Sequence, residues 1–361
     1  MNFDFSDEQR QMQSEVRRVL SGSSTSAEVR RVLEGQSDYS RTVWERLLDM
    51  GAATAAIPEA YGGAGLGLLA LCLVAEEAGR HLAAVPFSSS FYLAAEAIRM
   101  AGSEAQRQVW LPRLARGEVI GTAALEAKES LAERQGLIFD GERLSGVLAV
   151  LPDGHVADVA VVRCEEALVL VDLRGAGVGR KRLAGLDPTR PLASIRFDGA
   201  VAERLPKGGG RTIRRVLDGA AVLFAFEQLG GAERVLEISR DYSLQRKAFG
   251  RPIGGFQALK HRMTDMYARN ELARAHAYYG AWALSSEALE LPLAAAAARV
   301  AATTAFNFAA EENIEIHGGI GFTWEMDCHL YLRRARYLAQ VLGSEHLWRD
   351  RLTAALIEEP A

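Results

Sequence analysis

The sequence predicts an α+β protein in three successive parts: an N-terminal helical domain over residues 1–119, a middle antiparallel β domain over 120–205, and a C-terminal four-helix bundle over 206–361. Three observations carry this. Apolar residues recur at helical spacing as far as residue 117. From residue 120 the texture changes to short apolar or alternating runs, most of them separated by Gly, Asp and Pro. After Pro206 and the three glycines 208–210, the helical period returns in much longer segments.

In the first part, Ser6 followed by Gln9 is a capping-box pair, ahead of Met12, Val16, Val19 and Leu20 at helical spacing. A short helix over 41–50 places Trp44, Leu47 and Leu48 on one face. A glycine-rich turn follows at 57–65 (IPEAYGGAG), then an apolar helix over 66–82 with a fraying point at Gly79. Pro86 breaks the pattern, and helices over 88–102 and 104–117 complete the block. Strands are predicted at 120–125, 137–139, 147–151, 156–163, 167–172 and 193–197, with a linker at 205–210. Helices then follow over 211–244, 256–285, 292–316, 327–338 and 345–356, with Pro292 where the first turn of a helix tolerates it. Their nearly continuous hydrophobicity predicts burial on several sides, including between subunits.

Composition excludes several classes. With 49% hydrophobic and 24% charged residues the chain is neither disordered nor collagen-like. No apolar run reaches the ~18–20 residues of a membrane span, and the alanine run at 294–298 stops at Arg299. A net charge of −4 gives no basic footprint for nucleic acid. Cys72, Cys164 and Cys328 are far apart, without a CxxC or Cys/His cluster, so neither disulfides nor a metal site is expected. The acid-bearing N-terminus shows no export signal, and the expectation is a cytoplasmic bacterial protein.

There is no P-loop, HExxH, GxSxG or catalytic-cysteine motif. The segment Gly318-Gly319-Ile320-Gly321 follows a helix rather than a strand and so fails the context of a Rossmann loop. It reads either as a helix cap and turn or as bare backbone amides approaching a phosphate. His317 reads as a packed or capping residue. Arg333 and Arg336 share a helix face while Arg334 points elsewhere, a solvated run by default. The acid pairs 76/77, 165/166 and 311/312 are adjacent in sequence and diverge by about 100° on a helix, a poor arrangement for shared acid–base work.

Several segments resemble the acyl-CoA dehydrogenase family, over nearly the whole chain. The most specific is RKAFGRPIGGFQ at 246–257, similar to the family's R-x-x-F-G-x-x-I-x-x-F-Q. A second, IHGGIGFTWE at 316–325, resembles GGxGxxxE and is followed by YLRRAR at 331–336; the turn at 57–65 is a weaker third. The resemblance implies FAD and an acyl-CoA thioester. A carboxylate base removes the α-proton, the β-hydrogen leaves as hydride to the flavin, and a 2-enoyl-CoA forms. By motif position Arg246 meets the FAD pyrophosphate, Phe249 packs near the cofactor, Gln257 bonds in the adenosine half, and Gly318 and Gly319 let the backbone approach that half. An electron-transfer flavoprotein is the implied electron acceptor, and a tetramer the implied assembly.

The sequence departs from the family where the base belongs. The usual glutamate position, just after the YLRRAR segment, is Leu342, and the alternative position on the preceding long helix is Ala220. Neither accepts a proton. Asp218 and Glu227 are the nearest acids on that helix; Asp218 points to another face, and Glu227, two turns on from Ala220, is a weak candidate. The flavin-contacting loop and strand of the family are also altered, to ALEAKES at 124–130 and VLAVLP at 147–152. Three readings stand open. The chain is one half of an α2β2 assembly resembling the bacterial heteromeric enzymes that degrade steroid side chains, with the base on its partner; or it is a homo-oligomer with a displaced base; or it is a non-catalytic scaffold without a flavin site of its own.

Overall fold

The computed structural model describes residues 5–125 and 134–358. The altered loop at 124–130 therefore lies outside the described residues from Glu126 onward.

The N-terminal part contains α1 (Asp7–Ser23), α2 (Ser26–Leu33), α3 (Arg41–Asp49), α4 (Gly67–Arg80), a π-helical segment (Ser88–Ala94) running into α5 (Ala95–Ala101), and α6 (Glu104–Ala115). The capping box at Ser6 and Gln9 forms in both directions, and a second, at Ser103 and Gln106, starts α6. Each satisfies two amide donors that a helix start leaves open. Gly79 does not fray α4. It lies inside the helix because only a residue without a Cβ fits there: a Cβ would fall 1.8 Å from the carbonyl oxygen of Glu227. Gly230 makes the reciprocal approach, 1.8 Å from the carbonyl oxygen of Glu76.

The middle part contains β1 (Gly121–Ala124), β2 (Arg134–Phe139), β3 (Arg143–Pro152), β4 (Val159–Cys164), β5 (Ala167–Asp172), β6 (Val178–Leu183) and β7 (Leu192–Leu205). Six strands run in the order β1-β4-β5-β7-β3-β2, and β6 adds to β7. The pairing is antiparallel except for β1 with β4, which is parallel and corrects the all-antiparallel expectation. β7 is much longer than the run at 193–197 suggests. Its first half pairs β6 and its last four residues pair β5, and Gly199, at φ +64°, lies between the two. A glycine bend lets one strand serve two neighbours in turn on the same edge.

The C-terminal part is built on three long helices, α7 (Gly210–Gln245), α8 (Gln257–Ser285) and α9 (Leu291–His317), closed by α10 (Cys328–Leu338) and α11 (Glu345–Glu358). The two short strands β8 (Lys247–Ala248) and β9 (Arg251–Pro252) make a hairpin between α7 and α8. The segment over α9 is long and apolar enough by length and composition to cross a membrane. Its burial has a local cause: α9 packs against α7, α8, α10 and α11 at once, so apolar residues are required all round it.

Candidate functional site

Two regions bear on chemistry. The first is where the three parts of the chain meet. The π-helical segment brings Ser88 and Ser89, the turn after β3 brings Asp153, the loop before β7 brings Asp187, Thr189 and Arg190, α7 brings Glu227, and α10 brings Arg334. All are buried. Arg190 Nη2 donates to Asp153 Oδ2 at 2.8 Å and to Ser88 Oγ at 2.5 Å, and Ser89 Oγ donates to the same aspartate oxygen at 2.5 Å. Arg334 Nε donates to Asp187 Oδ2 at 2.7 Å, and its Nη2 donates to Thr189 Oγ1 at 2.9 Å. Glu227 stands between the two guanidiniums, with Oε1 3.6 Å from Arg190 Nη1 and 3.6 Å from Arg334 Nη1. Burial pushes the Glu227 carboxyl up, and the two arginines pull it back down.

Removing water from five charges costs several kcal/mol per ion, repaid only where each ion has close partners. Here Arg190, Arg334, Asp153 and Asp187 have them, while Glu227 has the two guanidiniums at 3.6 Å and a buried Oε2 without a hydrogen bond; the cluster ties three parts of the chain together. Arg334, expected by default in a solvated run, is 1% exposed and is a hub of the cluster. Arg336 stays outside, pairing with Glu311 on the surface, while Arg333 is half-buried and donates through Nη1 to the Leu186 carbonyl at 3.0 Å.

Both base positions are closed. Leu342 and Ala220 are each 1% exposed, and the Leu342 carbonyl accepts from Trp348 Nε1 at 2.9 Å. Asp218 pairs with Arg351 at 2.5 Å, and Glu227 is 3% exposed inside the cluster.

The second region is the end of the bundle where α7 stops. Arg246 is exposed, and no carboxylate among the described residues pairs with it. Its carbonyl accepts from the Ile253 amide at 2.8 Å, which ties the hairpin back to the helix end. Phe249 stands 93% exposed at φ +52° on the tip of the hairpin, edge-on to Phe256 at 6.1 Å. Gln257, the first residue of α8, is exposed. The end of α9 joins this region through His317, stacked on Tyr242 of α7 at 4.0 Å. His317 Nδ1 lies 2.7 Å from the Asn313 carbonyl, its Nε2 is buried without a partner, and burial holds its pKa below the usual imidazole range. Gly318 and Gly319 follow, exposed, and a Cβ on either would meet nothing within 4 Å. Thus α7, the hairpin, the start of α8 and the end of α9 gather the motif residues at one end of the bundle. An exposed cation, an open glycine backbone and a buried imidazole nitrogen lacking a partner suit the adenosine and pyrophosphate end of FAD. The strand over 147–152 offers no polar side chain to the other end of such a cofactor.

Comparison with known proteins gives the family. Residues 6–118 match the family model for the acyl-CoA dehydrogenase N-terminal domain, and residues 207–357 match that for the acyl-CoA dehydrogenase C-terminal domain. The chain is 35% identical to acyl-CoA dehydrogenase IpdE2 of Mycobacterium tuberculosis over 98% of its own length and 99% of that protein's. Among solved structures it superposes on the Tcur3481-Tcur3483 steroid ACAD G363A variant with a TM-score of 0.89 at 31% identity, covering 98% of each chain. The ChsE4-ChsE5 complex of Mycobacterium tuberculosis gives a TM-score of 0.90 at 28% identity over the whole of both chains.

Proposed function

The chain belongs to the acyl-CoA dehydrogenase family, and from that premise we propose that it is the base-less subunit of a heteromeric FAD-dependent acyl-CoA dehydrogenase. A second acyl-CoA-dehydrogenase-like chain carries the carboxylate that removes the α-proton. One observation carries this reading: both base positions are buried apolar residues, and the nearest acids on α7 are held in buried ion pairs. A general base contributes roughly 10²–10⁴ in rate and must lie within hydrogen-bond reach of its proton. Glu227 meets neither need while it is sealed between Arg190 and Arg334. Likeness to the Tcur3481-Tcur3483 and ChsE4-ChsE5 structures supports a two-chain assembly, an α2β2 tetramer in our reading. Likeness to a steroid ACAD supports a steroid-derived acyl group.

When bound, FAD supplies the acceptor for the β-hydride. In this chain Arg246 compensates the pyrophosphate charge, as a guanidinium does through paired, charge-assisted donors. Gln257 hydrogen-bonds in the adenosine half, Gly318 and Gly319 admit backbone approach to it, and Phe249 covers the cofactor. The enzyme passes its electrons to an electron-transfer flavoprotein in the cytoplasm.

The apolar strand over 147–152 favours a second reading, a scaffold subunit that binds no flavin. Purification of the chain alone and after co-expression with the acyl-CoA-dehydrogenase-like partner decides between them. We expect little flavin and no 2-enoyl-CoA from the chain alone, and both from the pair. In the pair, Arg246→Gln lowers flavin content, while Glu227→Gln leaves kcat within about threefold, against the 10²–10⁴ loss expected of a true base. Full flavin and rapid turnover by the chain alone would overturn the heteromer. An unchanged flavin content in the Arg246→Gln pair favours the scaffold.

A further inference from the structure

Away from both regions, a polar cleft of about 410 Å³ opens where α1 and α4 of the N-terminal part meet α7 and α10 of the bundle. Three arginines from three different helices line it: Arg17, Arg80 and Arg234. The carboxylates that hold them stand outside the cleft lining. Arg17 donates through Nε and Nη2 to Glu77, whose side chain is fully buried. Arg80 and Arg234 both donate to Glu237, which lines the neighbouring groove between α7 and α8 instead. One glutamate thus serves two guanidiniums and leaves a surplus of positive charge facing the cleft. Asp327 is the acid on the cleft wall itself, and Arg30 and Ser26 already engage it, at 2.7 and 2.6 Å. Ser21 adds a hydroxyl, held 3.0 Å from His81 Nε2.

A seam of simple ion pairs would place each carboxylate between the cations. Here the carboxylates that pair with the arginines lie off the cleft wall, while the three guanidinium-bearing side chains stand in its lining. That is how an oxyanion site is built, with planar guanidinium forks suited to phosphoryl oxygens. The volume falls within the ~300–1,000 Å³ range of small-molecule sites. We propose that this cleft binds a phosphate-bearing ligand, its dianionic phosphoryl group received by Arg17, Arg80 and Arg234 with Ser21. The site goes beyond the proposed dehydrogenase reaction and does not depend on it.

Calorimetric titration of the purified protein, with its partner chain where they co-purify, tests this with inorganic phosphate, AMP and adenosine as probes. We expect saturable binding of AMP or phosphate with dissociation constants of about 1 mM or tighter, and none of adenosine. AMP binding tenfold tighter than phosphate identifies an organic phosphate as the ligand; equal binding identifies the free anion. Either supports the site if Arg234→Gln and Ser21→Ala weaken binding, the first by about tenfold or more, while Arg246→Gln does not. Unchanged thermal midpoints of the variants show that they fold. Absence of saturable binding, equal binding of adenosine, or loss in Arg246→Gln with retention in Arg234→Gln each overturns the proposal.

Discussion

Glu76 shows what one buried carboxyl does to the whole. It is 4% exposed, its Oε2 has no partner, and its neighbour Glu77 takes the available donors, Arg17 and Gln13. Burial, then the charge of Glu77, pushes its pKa up from 4.5 to about 7, against the pull of Arg274 and Arg17. A raised carboxyl pKa means that the folded state binds the proton more tightly than the unfolded chain. Its contribution to stability is therefore full below pH 4.5 and is lost as the pH rises from about 4.5 to 7. In urea unfolding at several pH values, Glu76→Gln should remove that part of the decline and lie above the wild type near neutral pH. Parallel curves for the two proteins would show that Glu76 does not hold a proton. The sequence marks 76/77 only as adjacent acids, and the same limit hides the cluster around Glu227. Asp187 and Arg334 are 147 residues apart and meet only when three parts of the chain close together. The sequence places Arg334 on a different helix face from Arg333 and Arg336. That difference of face was compatible with a solvated run, and the burial of Arg334 comes from partners that the sequence does not name.

At the scale of elements, local chemistry was legible wherever local chemistry decides. The helix starts at Ser6, Ser40 and Ser103 use the hydroxyl caps their sequence offers, and the strand at 167–172 falls where its apolar run lies. The misses have tertiary causes. β6 reads Val-Gly-Arg-Lys-Arg-Leu, an edge strand mostly turned to solvent, so no apolar run announces it. The π-helical turn at Ser88–Ala94 is held by side-chain bonds to Asp153, Arg190 and the backbone of Gly121, which no period reveals. The helix over 66–82 was expected to weaken at Gly79, yet that glycine is where α4 and α7 approach most closely. Gly79 faces the Glu227 carbonyl and Gly230 faces that of Glu76, so one crossing also sets the backbone of both buried glutamates. A methyl group at either position has only backbone to displace. Gly79→Ala and Gly230→Ala should each cost about 1–3 kcal/mol or more through forced separation of the helices, despite the better intrinsic helix propensity of alanine. A urea midpoint at or above that of the wild type in both variants would refute the close crossing.

At the scale of the molecule, the departures from the family pattern are informative because the remainder of the pattern is intact. The motif residues at the end of α7 and the start of α8 are present and open to solvent, whereas the positions for a base are apolar and sealed. In the heteromer we propose, such a chain contributes part of a site and keeps Asp218 and Glu227 inside. Phe249 illustrates the consequence. A phenylalanine 93% exposed, held at positive φ on a two-strand hairpin, gains little for the isolated chain beyond its edge-on contact with Phe256. Burying such a ring is worth about 1.5–3 kcal/mol, roughly 10–150-fold in an association constant. Phe249→Ser should therefore leave the thermal midpoint of the isolated chain unchanged and weaken assembly with the partner by about that factor, with flavin lost on dilution at correspondingly higher protein concentration. Analytical ultracentrifugation of the pair, with flavin absorbance followed across a dilution series, measures both. Equal association and flavin retention in the variant and the wild type would place the exposed ring outside the interface, and the partner's contact with this end of the bundle would have to be sought on the glycine turn after α9 instead.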